Sequence, residues 1–73
     1  MLVVDARGKS CPMPIVLTAK AIRNVAVGDG LRVQANDRAF PSDIEAWCKK
    51  TGHVLVALET SEAHFEAEIR RAR

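Results

Sequence analysis

The stretch HFEAEIR, residues 64–70, alternates polar and apolar side chains without interruption. Phe65, Ala67 and Ile69 are the apolar positions, and every residue between them is polar or charged. Successive side chains of a β-strand point to opposite faces of a sheet, so this alternation predicts a strand buried on one face only. A strand covered on both faces would show a continuous apolar run instead. The sheet that contains this strand should therefore carry helices on one side.

Three further strands are predicted from the rest of the chain. Residues 31–36 repeat the alternation, with the odd-numbered positions apolar. Leu2 to Ala6 and Val54 to Thr60 are short runs rich in strand-forming residues. Residues 28–30 and 61–63 have the composition of turns.

Two helices separate the predicted strands. The first runs from Pro12 to about Val25, and its buried face is predicted to consist of Ile15, Ala19, Ile22 and Val25 or Ala26. The second runs from Pro41 or Ser42 to Thr51, and Ser42 and Glu45 have the spacing of a capping box. Gly52 follows in the position where glycine commonly ends a helix.

These elements follow one another in the order βαβαββ and predict a two-layer α/β sandwich of the α+β type. Four strands should form a mixed sheet, with both helices on one face and the other face open to solvent. The first two strands should be parallel through a right-handed crossover, and the last two should form a hairpin. A chain of 73 residues has the length of one small domain, which we place at residues 1–73.

Composition argues against several classes of protein. The net charge of +2, with acidic and basic residues interspersed, is too weak to indicate a nucleic-acid surface. The apolar stretches are far shorter than a membrane span, and residues 1–5 lack the features of a signal peptide. We therefore expect a cytoplasmic protein whose thiols stay reduced.

The two cysteines, Cys11 and Cys48, are too few for a disulfide framework. Their spacing from His53 and His64 does not group the four side chains as zinc ligands, and we expect no metal site. Cys48 shares a helix face with Trp47, which predicts a packing thiol, although a Cys11–Cys48 disulfide stays open as an alternative. The two histidines are expected at the surface, away from Cys11.

The sequence Cys11-Pro12-Met13-Pro14 places two prolines at the start of the first helix. The first N–H groups of a helix have no partner within it, so a proline there loses no hydrogen bond. Pro12 is predicted at the first helical position, and Pro14 at the third is tolerated. The prolines should stiffen this segment and leave the N–H of Met13 as a free donor.

Cys11 is predicted to occupy the N-cap of this helix. A thiolate caps better than a thiol, and the positive end of the helix dipole favours the anion. Free thiols titrate near ~8.5, and helix N-termini lower this pKa to about 3.5–7.5. Arg7 and Lys9 lie just upstream and should add positive potential. An exposed, nucleophilic sulfur is predicted, and the alternative is a buried structural cysteine.

The pattern Asp5-x-Arg7-Gly8-x-x-Cys11-Pro12-x-Pro14 resembles the signature of the TusA/SirA family of small sulfur-carrier proteins. The resemblance extends over nearly the whole chain. It includes Gly28-Asp29, Asp37, Asp43-Ile44 and Trp47-Cys48. One departure is Lys9, where the family commonly has leucine.

This resemblance implies that Cys11 accepts a sulfane sulfur as a persulfide and passes it to an acceptor protein. It implies a cysteine desulfurase or rhodanese-type donor, and acceptors that serve tRNA thiolation, molybdenum cofactor synthesis or sulfur oxidation. No cofactor or metal is expected beyond the covalent persulfide on Cys11. The residues expected to support the site are Arg7, Gly8, Lys9, Pro12, Met13, Pro14 and Asp37. Whether such a carrier acts as an enzyme, a sulfurtransferase, stays open.

Asp37 follows the second strand, whose end should lie beside the loop from Arg7 to Cys11. It is either a residue that caps a turn or part of the rim of the sulfur site.

Two other functions compete with sulfur transfer. One is a non-catalytic regulatory or redox-sensing module that acts through protein interaction. The other is RNA binding, which we do not expect because aromatic residues are few and no G-x-x-G clamp is present.

Overall fold

The computed structural model describes residues 2–73, and its elements alternate as the sequence predicts. They are β1 (Leu2–Asp5), α1 (Met13–Ala21), a 3₁₀ helix (Ile22–Asn24), β2 (Gly30–Ala35), α2 (Phe40–Thr51), β3 (Val54–Thr60) and β4 (Phe65–Arg70). The order βαβαββ is confirmed, and the short 3₁₀ helix continues the chain directly from α1.

The four strands form one mixed sheet in the order β1-β2-β4-β3. β1 pairs with β2 in parallel, as predicted for a helical crossover. β4 pairs antiparallel with β2 on one side and with β3 on the other. The last strand in the chain therefore lies inside the sheet, while β1 and β3 form its edges.

The two faces of the sheet differ as the alternation predicts. On the inner face, Leu31, Val33 and Ile69 are all 0% exposed. On the outer face, Arg32 pairs with Glu66 at 3.3 Å and with Glu68 at 3.4 Å. One core cluster joins the inner residues of the sheet to residues of both helical segments, so both helices cover the same face. The predicted two-layer arrangement is confirmed.

The buried face of α1 differs from the predicted one. Its fully buried residues are Pro14 and Thr18, whereas Ile15 and Ala19 are only partly buried. The hydroxyl of Thr18 donates to the carbonyl of Pro14 at 2.8 Å, which satisfies the polar group inside the core. The predicted burial of Ile22 is correct. Within α1 the buried face is therefore rotated by one residue from the one that the apolar pattern indicates, whereas Ile22 and Val25, beyond its end, are buried as predicted.

The start of α2 also differs from the prediction, because the capping box between Ser42 and Glu45 does not form. The Ser42 hydroxyl donates to the carbonyl of Ala39 at 3.2 Å. Asp37 organises the turn instead, since its carboxylate accepts the Ala39 N–H at 3.2 Å. Its carbonyl accepts the Phe40 N–H at 3.1 Å, and the helix begins at Phe40. The prediction that Asp37 caps a turn is confirmed.

The end of α2 matches the prediction. Gly52 has a φ of +85°, the left-handed conformation that glycine adopts without strain. Its N–H donates to the carbonyl of Cys48 at 2.9 Å. This turn directs the chain from α2 into β3.

Candidate functional site

Two loops meet at the ends of the parallel strands β1 and β2. The N–H of Gly8, in the loop after β1, donates to the side-chain carbonyl of Asn36, in the loop after β2, at 2.9 Å. Gly8 has a φ of +83°, which a residue with a side chain rarely adopts. This contact fixes the path of the chain that leads into Cys11.

Arg7 is engaged with Asp5 and does not serve as a free positive charge. Its Nε donates to one carboxylate oxygen at 2.9 Å, and a terminal nitrogen donates to the other at 3.0 Å. These hydrogen bonds lower the pKa of Asp5 to about 2. The pair holds the loop after β1 in shape, while the positive potential that we expected from Arg7 is balanced by its partner.

The start of α1 differs in detail from the prediction. Pro12, not Cys11, is the N-cap residue, and the Cys11–Pro12 peptide bond is cis. The N–H of Met13 donates to the carbonyl of Ser10 at 2.8 Å, so the predicted free donor does not exist. Cys11 lies one residue before the N-cap, and its side chain is exposed as predicted.

A carboxylate from the second helix forms a hydrogen bond with Cys11. The Cys11 thiol donates to Oδ2 of Asp43, in the first turn of α2, across an Sγ–Oδ2 distance of 3.0 Å. This hydrogen bond is the largest cause of a raised pKa of Cys11, followed by desolvation and the negative charges of Asp43 and Asp37. The prediction of a lowered pKa is therefore wrong, because the free thiol is stabilised as a hydrogen-bond donor to an anion.

Cys11 and Asp43 lie at a largely apolar groove of about 290 Å³ between α1 and α2. The other lining residues are Pro12, Ile15, Ala46, Trp47 and Lys50. Trp47 is half-buried, and it belongs both to the edge of the core and to the wall of the groove. The arrangement presents an accessible sulfur on an apolar surface with one carboxylate and one ammonium group at its margin.

The structure places the predicted support residues in different surroundings. Lys9 and Met13 are exposed, whereas Pro14 is buried beneath the start of α1. The negative charge of Asp37 contributes to the raised pKa of Cys11, and its role as a rim residue of the sulfur site stays a prediction. The sequence includes Asp43 only in the family resemblance and does not predict its contact with the Cys11 sulfur. The feature of the sequence that could have indicated this contact is the position of Asp43 in the first turn of the second helix.

Cys48 behaves as the predicted packing thiol. Its side chain is 4% exposed within the core cluster, and burial raises its pKa to about 11. Both cysteines are free thiols, so the alternative of a Cys11–Cys48 disulfide is not found.

The two histidines lie outside the groove. The ring of His53 packs against that of Trp47 with centroids 5.4 Å apart, and its Nδ1 accepts the N–H of Ala72 at 3.2 Å. His64 lies 3.5 Å from the carboxylate of Glu66. Among residues 2–73 no three potential ligands are placed to hold a metal ion. No helix in the same range is long and apolar enough to cross a membrane.

Fold and site together define a small α+β protein with one accessible cysteine before its first helix, beside an apolar groove. The sequence model of the family described as sulfurtransferase TusA matches residues 2–71. The chain therefore belongs to the TusA/SirA family, as the motif around Cys11 indicates.

Individual relatives agree with this assignment. A candidate sulfur carrier protein of Archaeoglobus fulgidus is 36% identical over 73 residues, which cover 100% of both chains. The candidate sulfur carrier protein YrkF of Bacillus subtilis is 43% identical over 58 residues, which are 80% of this chain but 31% of that protein. The crystal structure of a SirA-like protein from Desulfitobacterium hafniense superposes with a TM-score of 0.84 over the full length of both chains at 22% identity, and so shares the fold.

Proposed function

We propose that the protein is a sulfur carrier that accepts a sulfane sulfur on Cys11 as a persulfide and relays it to an acceptor protein. The observation that carries the proposal is the exposed Cys11 sulfur at the margin of the apolar groove. Membership of the TusA/SirA family and relatives named as candidate sulfur carriers support it. The buried Cys48 offers no competing accessible thiol.

Loading is an exchange between a thiol and a persulfide. The Cys11 thiol loses its proton, and the thiolate attacks the terminal sulfur of a persulfide on the donor protein. A new S–S bond forms at Cys11 while the donor's S–S bond breaks, and the donor leaves as a thiolate that takes up a proton. One sulfur atom has moved, and no external oxidant or reductant is consumed.

Delivery repeats the same exchange in the opposite direction. A thiolate on the acceptor attacks the terminal sulfur of the Cys11 persulfide, and the S–S bond to Cys11 breaks. The acceptor becomes the persulfide, and Cys11 returns to the thiol. The cycle requires no cofactor or metal beyond the covalently bound sulfur.

The partners that we propose are those that the family resemblance implies. The donor is a cysteine desulfurase or a rhodanese-type protein, and the acceptor serves tRNA thiolation, molybdenum cofactor synthesis or sulfur oxidation. The proposed setting is the cytoplasm, where thiols stay reduced, and residues 1–73 act as one carrier domain. The apolar groove beside Cys11 provides a surface on which a partner's reactive sulfur can be brought close.

An intact-mass assay tests the proposal. The protein is incubated with a cysteine desulfurase and cysteine, or with a rhodanese and thiosulfate, and then weighed by mass spectrometry. We expect a gain of one sulfur atom that is removed by a thiol reductant. The gain should disappear in Cys11→Ser and persist in the matched control Cys48→Ala, whose missing thiol is the buried one. No gain with either donor system would refute the carrier function.

The competing functions receive less support from the site. A redox-sensing cysteine often lies beside a resolving cysteine, whereas the second cysteine of this chain, Cys48, is buried in the core. For RNA binding, the open face of the described sheet carries Arg32, Glu66 and Glu68. Phe40 belongs to the core, and Trp47 lies beside the groove, so neither offers a stacking platform on that face.

A further inference from the structure

The contact between Cys11 and Asp43 assigns a role to a residue outside the signature motif. We propose that Asp43, by accepting a hydrogen bond from the Cys11 thiol, keeps the unloaded carrier in its protonated, less reactive form. The proposal rests on the proposed function, because it concerns the state of Cys11 between two rounds of sulfur transfer. It is a restraint on the nucleophile, because a neighbouring negative charge disfavours the thiolate.

Geometry supports this role. The Sγ–Oδ2 distance of 3.0 Å is short for a hydrogen bond from sulfur, and it joins residues 32 positions apart in the chain. Asp43 is held in place because the next residue, Ile44, is 0% exposed and anchors the first turns of α2 in the core. Asp43 as a whole is only partly exposed, which limits the directions from which water reaches it.

The other charges around Cys11 do not cancel that of Asp43. Asp37 adds a second negative charge from the loop after β2. Lys50 lines the same groove, yet the ion pairs among residues 2–73 give neither Asp43 nor Asp37 a basic partner within 4.0 Å. Arg7 is paired with Asp5, and Lys9 is an exposed residue of the preceding loop. The charges that raise the pKa of the Cys11 sulfur are those of Asp43 and Asp37.

The hydrogen bond to Asp43 lowers the reactivity of Cys11, because the reactive form of a cysteine is the thiolate. Only the thiolate attacks electrophiles and oxidants at a useful rate, so a proton held on Cys11 slows both. The restraint protects the accessible sulfur from irreversible oxidation while it waits for a donor. Once deprotonated, a thiolate of higher pKa is the stronger nucleophile, so the same contact does not weaken the attack itself.

The test compares the pH dependence of alkylation in two chains. Both carry Cys48→Ala, so that iodoacetamide reports on Cys11 alone, and one also carries Asp43→Asn. We expect the midpoint of the rate–pH profile to fall in the Asn variant. For each pH unit by which the midpoint falls, the alkylation rate at about pH 7 should rise about three- to fourfold. The thiolate fraction rises about tenfold, but a thiolate of lower pKa is a weaker nucleophile, which offsets part of this gain.

Two variants separate this role from a structural one. Asp43→Glu keeps the charge and should keep the midpoint above that of the Asn variant. Glu45→Gln removes a neighbouring carboxylate on the same helix that pairs with Lys49 at 3.6 Å, and it should leave the midpoint unchanged. A midpoint in Asp43→Asn that equals or exceeds that of its parent would overturn the proposal.

A second measurement needs no Asp43 variant. The thiolate absorbance of Cys11 in the Cys48→Ala chain is titrated in the folded state and again in denaturant, and the folded midpoint should be the higher one. A folded midpoint at or below the unfolded one would also overturn the proposal. If the midpoint of the rate–pH profile falls in Asp43→Asn but the protein cannot be loaded with sulfur, the carrier function alone is refuted. If the protein can be loaded but the midpoint does not change, the role of Asp43 alone is refuted.

Discussion

Cys48 should be alkylated faster in the unfolded chain than in the folded protein. In the folded protein burial raises its pKa from an ordinary 9.0 to about 11. At about pH 8 roughly one in ten of the unfolded thiols is ionised, against about one in a thousand in the folded state, a ratio of about 100. The higher pKa makes each folded thiolate about six- to tenfold more nucleophilic, which leaves a difference of about tenfold. Steric protection adds to this, because the side chain is only 4% exposed.

The assay follows alkylation of the Cys11→Ser chain, in which Cys48 is the only thiol, with and without denaturant. Mass spectrometry at timed intervals gives both rates, and circular dichroism verifies that the undenatured sample is folded. We expect labelling in the folded state to be slower by more than about tenfold. In the companion chain Cys48→Ala, Cys11 should label readily in the folded state. A folded and an unfolded Cys48 that react at similar rates would show that the core around α2 does not exclude solvent.

Three further predictions concern stability. Ile44→Val removes one methylene from a side chain that is 0% exposed and should lower the free energy of unfolding by about 1 kcal/mol in urea titrations; an unchanged midpoint would mean that the core relaxes around the site. Gly52→Ala forces a side chain into a φ of +85° and places its Cβ 2.9 Å from the Arg73 side chain, so thermal denaturation should show a loss of about 1–2 kcal/mol. A variant as stable as its parent would contradict the left-handed conformation. The free energy of unfolding should also fall as the pH rises from 9.0 towards about 11, because the unfolded Cys48 loses its proton first. Below this range the contribution is fully present, and a Cys48→Ala chain that showed the same decline would exclude this thiol as its cause.

Local patterns in the sequence predicted most of the fold. The alternation in β2 and β4 identified the buried side of the sheet, because a period of two is a property of each strand alone. Gly52 marked the end of α2 because the left-handed conformation favours glycine at that point. The strand order was not predictable in this way, since β4 could in principle have lain at an edge of the sheet.

The site was predicted less completely than the fold. The exposure of Cys11 followed from its polar loop and the prolines after it, but its protonation depends on Asp43, which lies 32 residues away. The residues next to Cys11 in sequence and the helix dipole predict a lowered pKa, whereas a carboxylate on a second helix decides the sign of the shift. The apolar pattern also leaves Thr18 out of the buried face of α1. Thr18 can be buried because its hydroxyl donates a hydrogen bond to the carbonyl of Pro14.

The position of β4 between β2 and β3 has a consequence for synthesis on the ribosome. β4 is the last of the four strands to emerge, yet it supplies the neighbour of both β2 and β3. Until Arg70 has left the exit tunnel, those two strands have unpaired edges and the apolar layer beneath the helices is incomplete. The sheet can therefore close only after β4 has emerged, and this domain cannot fold strand by strand as its first three strands appear.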